Sequence, residues 1–462
     1  MKRNWQGKKV VVIGAARQGL AASRYLAKRS AQVVLTDNRP LSDLIDLESQ
    51  LSGFAVELHL GGHPVNILDN TDVVCVSGGV PLTIPLIKEA QTRGIPLTND
   101  SQLFMEEVKA RVIGITGSAG KTTTTVLIGA IAKAALEPKV KVWIGGNIGY
   151  PLIEHLEEIQ PDDWVVHEFS SFQLEQMTLS PHIAVITNIT PNHLDRHKTM
   201  EAYTAAKTHL IEYQSAKDFA VINREDPGSK GLAEKTCAKL FSFGFNLTSD
   251  QRDMAVFLKD KNLVILDGGH ESILIPTNAL KLPGRHNLAN AMAACTACLA
   301  AGFSTQAMQD GISSVEGIPH RLEVVREYQG IQWINDSIAT APERVMAAMQ
   351  AIEGPLVILL GGRDKDLPWE ELAAMLHKRQ PKVVLFGEAG SLINSALRKY
   401  EGASASYLLF QVKTLEEAVQ KASELAVKGD KVLLSPGGTS YDAYHDFEER
   451  GEHFRVLVKE LQ

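Results

Sequence analysis

The sequence predicts an α/β protein with three domains, because a succession of strands, glycine-containing turns and helices begins three times along its 462 residues. The first succession covers residues 9–37, the second begins with the strand at 112–116, and the third follows residue 317. A chain of this length with 44% apolar residues can form about three separate cores. We therefore expect domains at residues 1–98, 99–316 and 317–462.

The first domain begins with a βαβ unit. Its first strand leads into a turn from Gly14 to Gly19, and its second strand ends at Asp37. The turn lacks the middle glycine of Gly-x-Gly-x-x-Gly, although Asp37 supplies the acidic residue that dinucleotide folds require. This pattern predicts a Rossmann-like domain with a nucleotide-like ligand and does not establish NAD. The remaining predicted strands of this domain are 72–77 and a short edge at 94–99.

The second domain begins with a phosphate-binding turn. Gly117 and Gly120 allow a tight turn whose N–H groups point at phosphate oxygens, and Lys121 adds positive charge near the terminal phosphates. Thr122 can bind Mg²⁺. The expected ATP contacts also include Ser118, Ala119 and Thr123. We expect a P-loop ATPase-like domain with a mostly parallel sheet. The alternative is an ordinary strand-to-helix turn that happens to contain Gly-Lys-Thr.

The spacing of this turn departs from Gly-x-x-x-x-Gly-Lys-Thr, because Ile115 stands where the first glycine is expected. A shorter variant of the loop is therefore predicted. Strands at 164–168 and 183–188 follow, each ending in polar residues, and open α/β sheets bind ligands at such ends. The third domain is predicted to be Rossmann-like α/β, with strands at 356–360, 383–386 and 431–434.

The composition points to small-molecule partners. The net charge of −7 argues against nucleic acid, because phosphate backbones attract concentrated Lys and Arg. No apolar h-region precedes the first strand, and no later apolar run approaches 18 residues, so neither secretion nor membrane insertion is expected. We expect a monomer in the cytoplasm.

Four cysteines are too few and too scattered for a disulfide framework in a chain of this size. Cys295 and Cys298 form a Cys-x-x-Cys, but they lie in an alanine-rich helical stretch and have no second pair. Helix packing explains them better than a metal site or redox chemistry.

Three downstream motifs are more specific than the loop alone. They are Gly145-Gly-Asn147-Ile-Gly149, Glu168-Phe-Ser-Ser-Phe-Gln-Leu174 and Thr187-Asn188-Ile-Thr-Pro-Asn192-His193-Leu-Asp195-Arg196-His197. With them the chain resembles the Mur ligase family, which comprises cytoplasmic ATP-dependent amide-forming enzymes of peptidoglycan synthesis. The resemblance runs through essentially the whole chain. The stretches 168–174 and 435–451 look most like the D-glutamate-adding members.

The resemblance implies that the carboxylate of UDP-N-acetylmuramoyl-L-alanine takes the γ-phosphoryl group of ATP. The amine of D-glutamate then attacks the acyl phosphate, which releases phosphate after ADP. The family uses Mg²⁺, and two sites are implied, with Thr122, Glu168, His193 and Lys207 as ligands. Lys207 would react with CO₂ to give a carbamate, and Lys121, His193 and Lys207 would be the catalytic residues.

The resemblance also implies substrate contacts. Those with ATP are Asn287, Arg321 and Asp336; those with the UDP-linked substrate are Gly14, Asp37, Arg39, Gly78 and Asn147; those with D-glutamate are Thr340, Lys365, Ser440 and Phe447. From pattern alone, Lys207 is a solvated helix lysine and Asn287 a helix cap. Ser440 could likewise cap a helix beginning near Tyr441, and His193 could be an ordinary loop histidine.

One position departs from the family pattern. The family commonly shows Asp-Ser-Lys-Ala-Thr, whereas this chain has Asp336-Ser-Ile338-Ala-Thr340, so a cation is missing from the acceptor cleft. Two hypotheses are open: Lys365 carries the acceptor carboxylate alone, or Arg363 compensates.

Three other functions stay open. The chain could be a related Mur or folylpolyglutamate-type ligase with another acceptor, a dinucleotide-dependent oxidoreductase, or a non-catalytic ATP-binding regulator. Acceptor preference, NAD(P)H binding and phosphate release, respectively, distinguish them.

Overall fold

In the computed structural model, which describes residues 3–44, 46–247, 254–282, 284–364, 367–399 and 408–461, the strands form three sheets of five, nine and six strands. The chain divides into two compact units, Met1–Glu316 and Gly317–Gln462. The first unit holds the five- and nine-stranded sheets, and the second holds the six-stranded sheet.

The first sheet is parallel throughout and has the order β3-β2-β1-β4-β5. Its strands are β1 (Lys9–Ile13), β2 (Gln32–Asp37), β3 (Val56–Leu60), β4 (Val73–Val76) and β5 (Leu97–Thr98). The helices beside it are α1 (Arg17–Lys28), α2 (Leu47–Gln50), α3 (Pro85–Thr92) and α4 (Asp100–Glu107). This is the strand order of a Rossmann-like domain, and the connections leave β1 and β4 in opposite directions, which opens a crevice at their carboxyl ends.

The second sheet has the order β14-β13-β12-β11-β10-β9-β6-β8-β7. Its strands are β6 (Arg111–Thr116), β7 (Val142–Gly146), β8 (Trp164–Glu168), β9 (Ile183–Ile186), β10 (Phe219–Asn223), β11 (Lys239–Gly244), β12 (Ala255–Lys259), β13 (Asn262–Asp267) and β14 (His270–Pro276). Its helices are α5 (Lys121–Leu136), α6 (Ser171–Leu174), α7 (Leu194–His197), α8 (Met200–Glu212), α9 (Pro227–Lys230), α10 (Arg285–Ala300) and α11 (Thr305–Ser314). The strands from β6 to β12 pair in parallel, as predicted, whereas β12, β13 and β14 form an antiparallel meander that the sequence patterns did not reveal.

The third sheet has the order β15-β16-β20-β17-β18-β19 and is parallel except at the pair β15–β16. Its strands are β15 (Glu323–Tyr328), β16 (Ile331–Asn335), β17 (Leu356–Gly361), β18 (Lys382–Phe386), β19 (Leu409–Gln411) and β20 (Lys431–Gly437). Its helices are α12 (Pro342–Ala351), α13 (Glu370–Arg379), α14 (Gly390–Lys399), α15 (Leu415–Leu425) and α16 (Phe447–Glu460). The predicted α/β class with mostly parallel sheets is therefore confirmed.

Small residues let helices of the central sheet pack closely near the phosphate loop, the turn 117–120 between β6 and α5. Nine consecutive residues of α10, from Asn290 to Cys298, are buried. In α11, a Cβ atom added at Gly311 would lie 2.5 Å from the Cα atom and 2.6 Å from the N atom of Ile131 in α5. Because both neighbours are backbone atoms, α11 holds α5 by direct contact, and no side chain fits between them.

The cysteines are unpaired. Cys75, Cys295 and Cys298 are buried and Cys237 is exposed. Burial raises the pKa of each of the three buried thiols. The packing explanation for Cys295 and Cys298 agrees with their burial inside α10. Over the ranges described above, none of the helices has the length and hydropathy that crossing a bilayer requires.

We predict that Gly311→Ala destabilises the protein by about 2 kcal/mol. Alanine favours a helix by about 1 kcal/mol over glycine, but its methyl group must displace the α5 backbone, and such overpacking against backbone atoms costs about 3 kcal/mol. The free energy of unfolding from urea titration measures the difference. Gly317→Ala is the control, because a Cβ there has nothing within 4 Å; equal stability of the two variants would contradict the prediction.

Candidate active site

The phosphate loop joins β6 to α5 and depends on two glycines. Gly117 has φ 153° and Gly120 has φ 83°, where Gly120 precedes the first residue of α5. A Cβ atom at Gly117 would lie 1.8 Å from Thr187 Oγ1, and one at Gly120 would lie 2.2 Å from Asn290 Oδ1. Neither position therefore accommodates a side chain.

The residues after β9 hold this loop. Asn188 accepts hydrogen bonds from Ser118 N–H at its carbonyl and from Ala119 N–H at Oδ1, both at 2.9 Å, and its amide donates to Ala119 O at 3.0 Å. Thr187 Oγ1 also donates to Ala119 O, at 2.6 Å. The N–H groups of Ser118 and Ala119 are thus satisfied by Asn188, whereas the N–H groups at the start of a helix such as α5 lack partners within the helix and can bind an anion.

Helix α8 braces the loop from the other side. Tyr203 OH donates to Ser118 Oγ at 2.9 Å, and Ser118 Oγ donates to Thr190 O at 2.8 Å. Lys207, only 1% exposed, donates from Nζ to Gly117 O at 2.9 Å and to Thr116 Oγ1 at 3.2 Å. Lys207 is thus a buried lysine against the loop, and the solvated-helix interpretation is wrong.

Burial lowers the pKa of Lys207 well below its usual range, and the nearby charge of Lys121 lowers it further, whereas Glu168 acts in the opposite direction. Lys121 itself, in the first turn of α5, donates from Nζ to Gly117 O at 3.0 Å and to Ser118 O at 3.3 Å. One ammonium group therefore lies at the loop beside an amine that burial favours in its neutral form.

A carboxylate faces the first turn of α5. Glu168, at the end of β8 and 1% exposed, accepts a hydrogen bond from Thr122 Oγ1 at 3.0 Å and one from Asn147 Nδ2 at 2.8 Å. A hydroxyl and a carboxylate oxygen thus meet beside the loop, and hard oxygens of this kind are the ligands that Mg²⁺ prefers. Thr123, the next residue, is buried.

His193 lies next to Phe172, which follows Glu168 by four residues. It is exposed, has φ 54°, and precedes α7; its ring packs edge-on to that of Phe172 at 5.1 Å between centroids. The side chain of His197 is instead buried, with Nε2 2.9 Å from Ser171 Oγ. Both rings thus pack against Phe172, but only that of His197 is buried.

Within the described part of the chain, no group of three or more His, Cys, Asp or Glu side chains could hold a metal ion. The oxygens of Thr122 and Glu168 fit Mg²⁺ as part of a ligand set that nucleotide phosphates would complete, since Mg²⁺ at such sites is commonly bound by one or two carboxylates plus phosphates. The protein side chains alone do not form a closed cage.

The turns of the first domain reach the same region. Arg17, at the start of α1, donates from Nη2 to Asn147 O at 3.3 Å, and Asn147 contacts Glu168. A Cβ atom at Gly78 would lie 3.6 Å from Gln173 Cγ and 3.9 Å from Phe172 Cβ, so the turn after β4 lies against the Glu168–Leu174 stretch. Of the predicted UDP-linked substrate residues, Asn147 is thus joined through Glu168 to Thr122, and Gly78 lies against the residues that follow Glu168.

Asp37 and Arg39 bind each other. Asp37 accepts hydrogen bonds from Arg39 N, Nε and Nη2 at 2.9–3.0 Å and from Ala15 N at 2.7 Å. Burial acts to raise the pKa of Asp37, but the bonds from Arg39 and Ala15 outweigh it and hold the pKa below its usual value. Asp37 therefore fixes both Arg39 and the turn that follows Gly14, whose φ is 101°.

The start of α10 also contacts the loop. Asn290 Nδ2 donates to Asn287 Oδ1 at 3.3 Å, and Asn290 Oδ1 lies over Gly120. Asn287 is thus one helical turn from a residue in contact with the phosphate loop.

In the second compact unit, the predicted residues gather at the carboxyl ends of β16 and β20, which are parallel neighbours. Asp336 is buried; it accepts hydrogen bonds from Ser435 Oγ at 2.9 Å and Leu322 N at 3.2 Å. Burial raises its pKa to about 6 against these bonds and the charge of Arg321. Arg321 is exposed beside it.

Thr340 lies in the loop between β16 and α12, as does Asp336. Phe447 is the first residue of α16, and its carbonyl accepts a hydrogen bond from Ser337 Oγ at 2.8 Å. Ser440 is buried, but α16 begins at Phe447 and is capped by Asp446, so the expected helix near Tyr441 is wrong and Ser440 is not its cap. Lys365 lies outside the described residues. Arg363 forms a two-pronged ion pair with Glu388, at 2.8 and 3.0 Å.

Sequence reasoning missed the residues that support these loops. Arg450 is fully buried and donates to Ser337 Oγ at 3.0 Å, to Ser337 O at 2.9 Å and to Gly438 O at 3.3 Å. Tyr203 and Arg17 were likewise not predicted. No local pattern marks Arg450 or Tyr203, whereas Arg17 could have been suspected because it is a cation in the nucleotide-type turn after β1.

Three domain families match consecutive parts of the chain. The Mur ligase MurD-like, N-terminal domain matches residues 8–99, the Mur ligase middle domain matches 115–298, and the Mur ligase, glutamate ligase domain matches 320–438.

Relatives match over the full length. The UDP-N-acetylmuramoylalanine--D-glutamate ligase of Pelotomaculum thermopropionicum is 38% identical, with 100% of both chains covered. The protein of the same name from Symbiobacterium thermophilum is 37% identical, with 98% of both covered. Among solved structures, UDP-N-acetylmuramate-alanine ligase MurC from Thermotoga maritima has a TM-score of 0.58 at 19% identity, with 98% of this chain and 99% of that chain covered. This structural likeness concerns the fold alone.

We predict that Gly120→Ala weakens ATP binding at least about tenfold. The left-handed conformation costs a non-glycine residue about 1–2 kcal/mol, and the methyl group must also displace Asn290 from the loop. Titration with a fluorescent ATP analogue measures the affinity. Gly94→Ala is the matched control, because Gly94 has φ 69° with nothing within 4 Å of a Cβ; ATP binding by Gly120→Ala as tight as that of the control would refute the prediction.

Proposed function

We propose the function from one premise: the chain belongs to the Mur ligase family. It is an ATP-dependent ligase that adds D-glutamate to UDP-N-acetylmuramoyl-L-alanine in peptidoglycan precursor synthesis, the activity named for relatives at 37–38% identity over the full chain. The structural observation that carries the proposal is the braced phosphate loop, with Lys121 and the Thr122–Glu168 pair beside it.

The reaction has two steps. A carboxylate oxygen of UDP-N-acetylmuramoyl-L-alanine attacks the γ-phosphorus of ATP, and the bond from that phosphorus to the bridging oxygen of ADP breaks. The amine of D-glutamate then attacks the acyl carbon, phosphate leaves, and the amine loses a proton as the amide forms. Since a carboxylate accepts an amine poorly until one oxygen becomes a leaving group, positioning and charge neutralisation do most of the catalysis.

The loop residues supply these effects. The N–H groups from Gly120 to Thr123 bind phosphate oxygens, and the Lys121 ammonium stabilises charge on the transferred phosphoryl group. Ser118 and Ala119 contribute by holding the loop through Asn188. Thr122 and Glu168 would hold one Mg²⁺, and His193 with modified Lys207 would hold a second. Bound Mg²⁺ would neutralise the β- and γ-phosphates.

We assign Lys207 as the site of a carbamate. Its buried amine has a lowered pKa, which favours the neutral form that can attack the carbon of CO₂. A nitrogen–carbon bond forms as one C–O π bond of CO₂ breaks, and the nitrogen loses one proton, so a neutral amine becomes an anionic oxygen ligand. The described residues contain no group of three or more His, Cys, Asp or Glu side chains that could hold a metal ion. The exposed His193 and the carbamate of the buried Lys207 would then act as metal ligands.

The remaining residues are assigned by domain. We propose that residues 1–98 bind the UDP-linked substrate through Gly14, Arg39 and Gly78, with Asp37 holding Arg39, and that Asn147 contacts the same substrate from the central domain. Residues 99–316 bind ATP, with Asn287 near the adenosine. Residues 317–462 bind D-glutamate through Thr340, Lys365, Ser440 and Phe447, while Arg321 and Asp336 serve ATP. The protein works as a monomer in the cytoplasm, where ATP and the precursor are available.

The acceptor is tested by phosphate release. With ATP, Mg²⁺ and UDP-N-acetylmuramoyl-L-alanine, we expect release only when D-glutamate is added, and not with L-glutamate, meso-diaminopimelate or L-lysine. Release with another amino acid would keep the ligase chemistry and change the acceptor. Absence of release with every acceptor would favour a non-catalytic ATP-binding regulator.

The carbamate is tested at Lys207. In ¹³C-bicarbonate we expect a carbamate resonance in the unaltered protein that Lys207→Ala lacks, with a fall in kcat of about 100-fold or more, as for loss of one electrostatic group. Lys217→Ala, which removes an exposed lysine just beyond α8, is the control and should keep both. A resonance that survives in Lys207→Ala would place the modification elsewhere.

A further inference from the structure

The loop between β16 and α12 contains an aliphatic residue at a position where the resembling family carries a cation. Ile338 is half-buried, and its neighbours Ser337 and Ala339 are 0% and 1% exposed. An isoleucine cannot bind a carboxylate, yet D-glutamate brings two. One cationic group beyond Lys365 is therefore needed if each carboxylate is to meet a positive charge.

Arg363 is not suited to this need. Its Nε and Nη2 atoms donate to the two oxygens of Glu388 at 2.8 and 3.0 Å, so the guanidinium already binds a carboxylate in a two-pronged pair. An acceptor carboxylate would have to displace Glu388, which opposes binding.

Arg344 lies beside the loop instead. It is in the first turn of α12, its side chain is exposed, and its Nη1 donates to Ile338 O at 3.2 Å. Thr340 N donates to the same carbonyl at 2.9 Å, so the guanidinium and the backbone of Thr340 lie next to each other. Thr340 is one of the residues assigned to the acceptor, and Arg344 brings a positive charge to it.

The negative charges of Glu343 and Asp336 favour the charged form of Arg344, but no carboxylate of the described residues forms an ion pair with it. A cation in the first turn of a helix is unfavourable, because the helix dipole is positive there. The bond to Ile338 O uses one N–H of Nη1, and the fork of the guanidinium keeps other N–H groups that match the two oxygens of a carboxylate.

We propose that Arg344 supplies the cation missing at Ile338 and binds a carboxylate of the acceptor amino acid. This inference rests on the proposed ligase function and adds a specificity-determining residue to it. The guanidinium reaches the loop from the first turn of α12, and its hydrogen bond to Ile338 O holds it in place.

The test compares Arg344→Gln with Ile338→Lys/Arg344→Gln. Gln removes the charge, so the KM for D-glutamate should rise about 10- to 100-fold, as when a charge-assisted hydrogen bond is lost, while the KM for ATP changes less than about twofold. The double variant restores a cation at position 338 and should recover most of the D-glutamate KM. Arg344→Lys should give an intermediate value.

Arg398→Gln is the matched control, because it removes an exposed arginine from α14 in the same domain, and its kinetics should be unchanged. Thermal melts identify any variant that fails to fold. An unchanged D-glutamate KM in folded Arg344→Gln, or a larger rise in the ATP KM than in the D-glutamate KM, would overturn the inference and in the second case assign Arg344 to the nucleotide.

Failure of the proposed function is seen separately, in the unaltered protein. If that protein uses another amino acid, the same variants are compared with that acceptor, whose α-carboxylate offers Arg344 the same chemistry. If it releases no phosphate with any of the acceptors tested, both the proposed function and this inference are wrong.

Discussion

The site depends on the close contact between the loop after β6 and the loop after β9. Gly117 leaves no room for a Cβ atom against Thr187, and Asn188 forms hydrogen bonds with backbone groups of Ser118, which is buried, and of Ala119, which is exposed. An unpaired buried N–H group is costly, so the bond to Ser118 in particular favours this loop conformation. The direction of α5, and with it the place of Lys121 and Thr122, follows from that conformation.

A second set of contacts connects the first domain to the same loop. Arg17 contacts Asn147, Asn147 donates to Glu168, and Glu168 accepts from Thr122. Glu168 is almost wholly buried, and a buried polar group needs hydrogen-bond partners. The two donors, Thr122 and Asn147, lie in separate segments, so the position of the Glu168 carboxylate depends on both segments.

The sequence revealed what is encoded locally. The strand at 164–168 has the predicted bounds, and the turn of Gly117 and Gly120 precedes a helix, because strand alternation and glycine spacing are local signals. The meander of β12–β14 was missed, as were the contacts Tyr203–Ser118 and Arg450–Ser337, whose partners lie 85 and 113 residues apart. Such pairs are created by folding and leave no pattern along the chain. The burial of Lys207 was also missed, because the sequence of a half-polar helix does not show which of its lysines is buried.

The placement of the cysteines separates inert thiols from an accessible one. Raised pKa values keep Cys75, Cys295 and Cys298 protonated at neutral pH, and the thiolate is the form that reacts with oxidants and alkylating reagents. Cys237 is exposed. Thiol oxidation of the folded protein should therefore begin at Cys237, and a maleimide dye would attach there without altering α10, which contains Cys295 and Cys298.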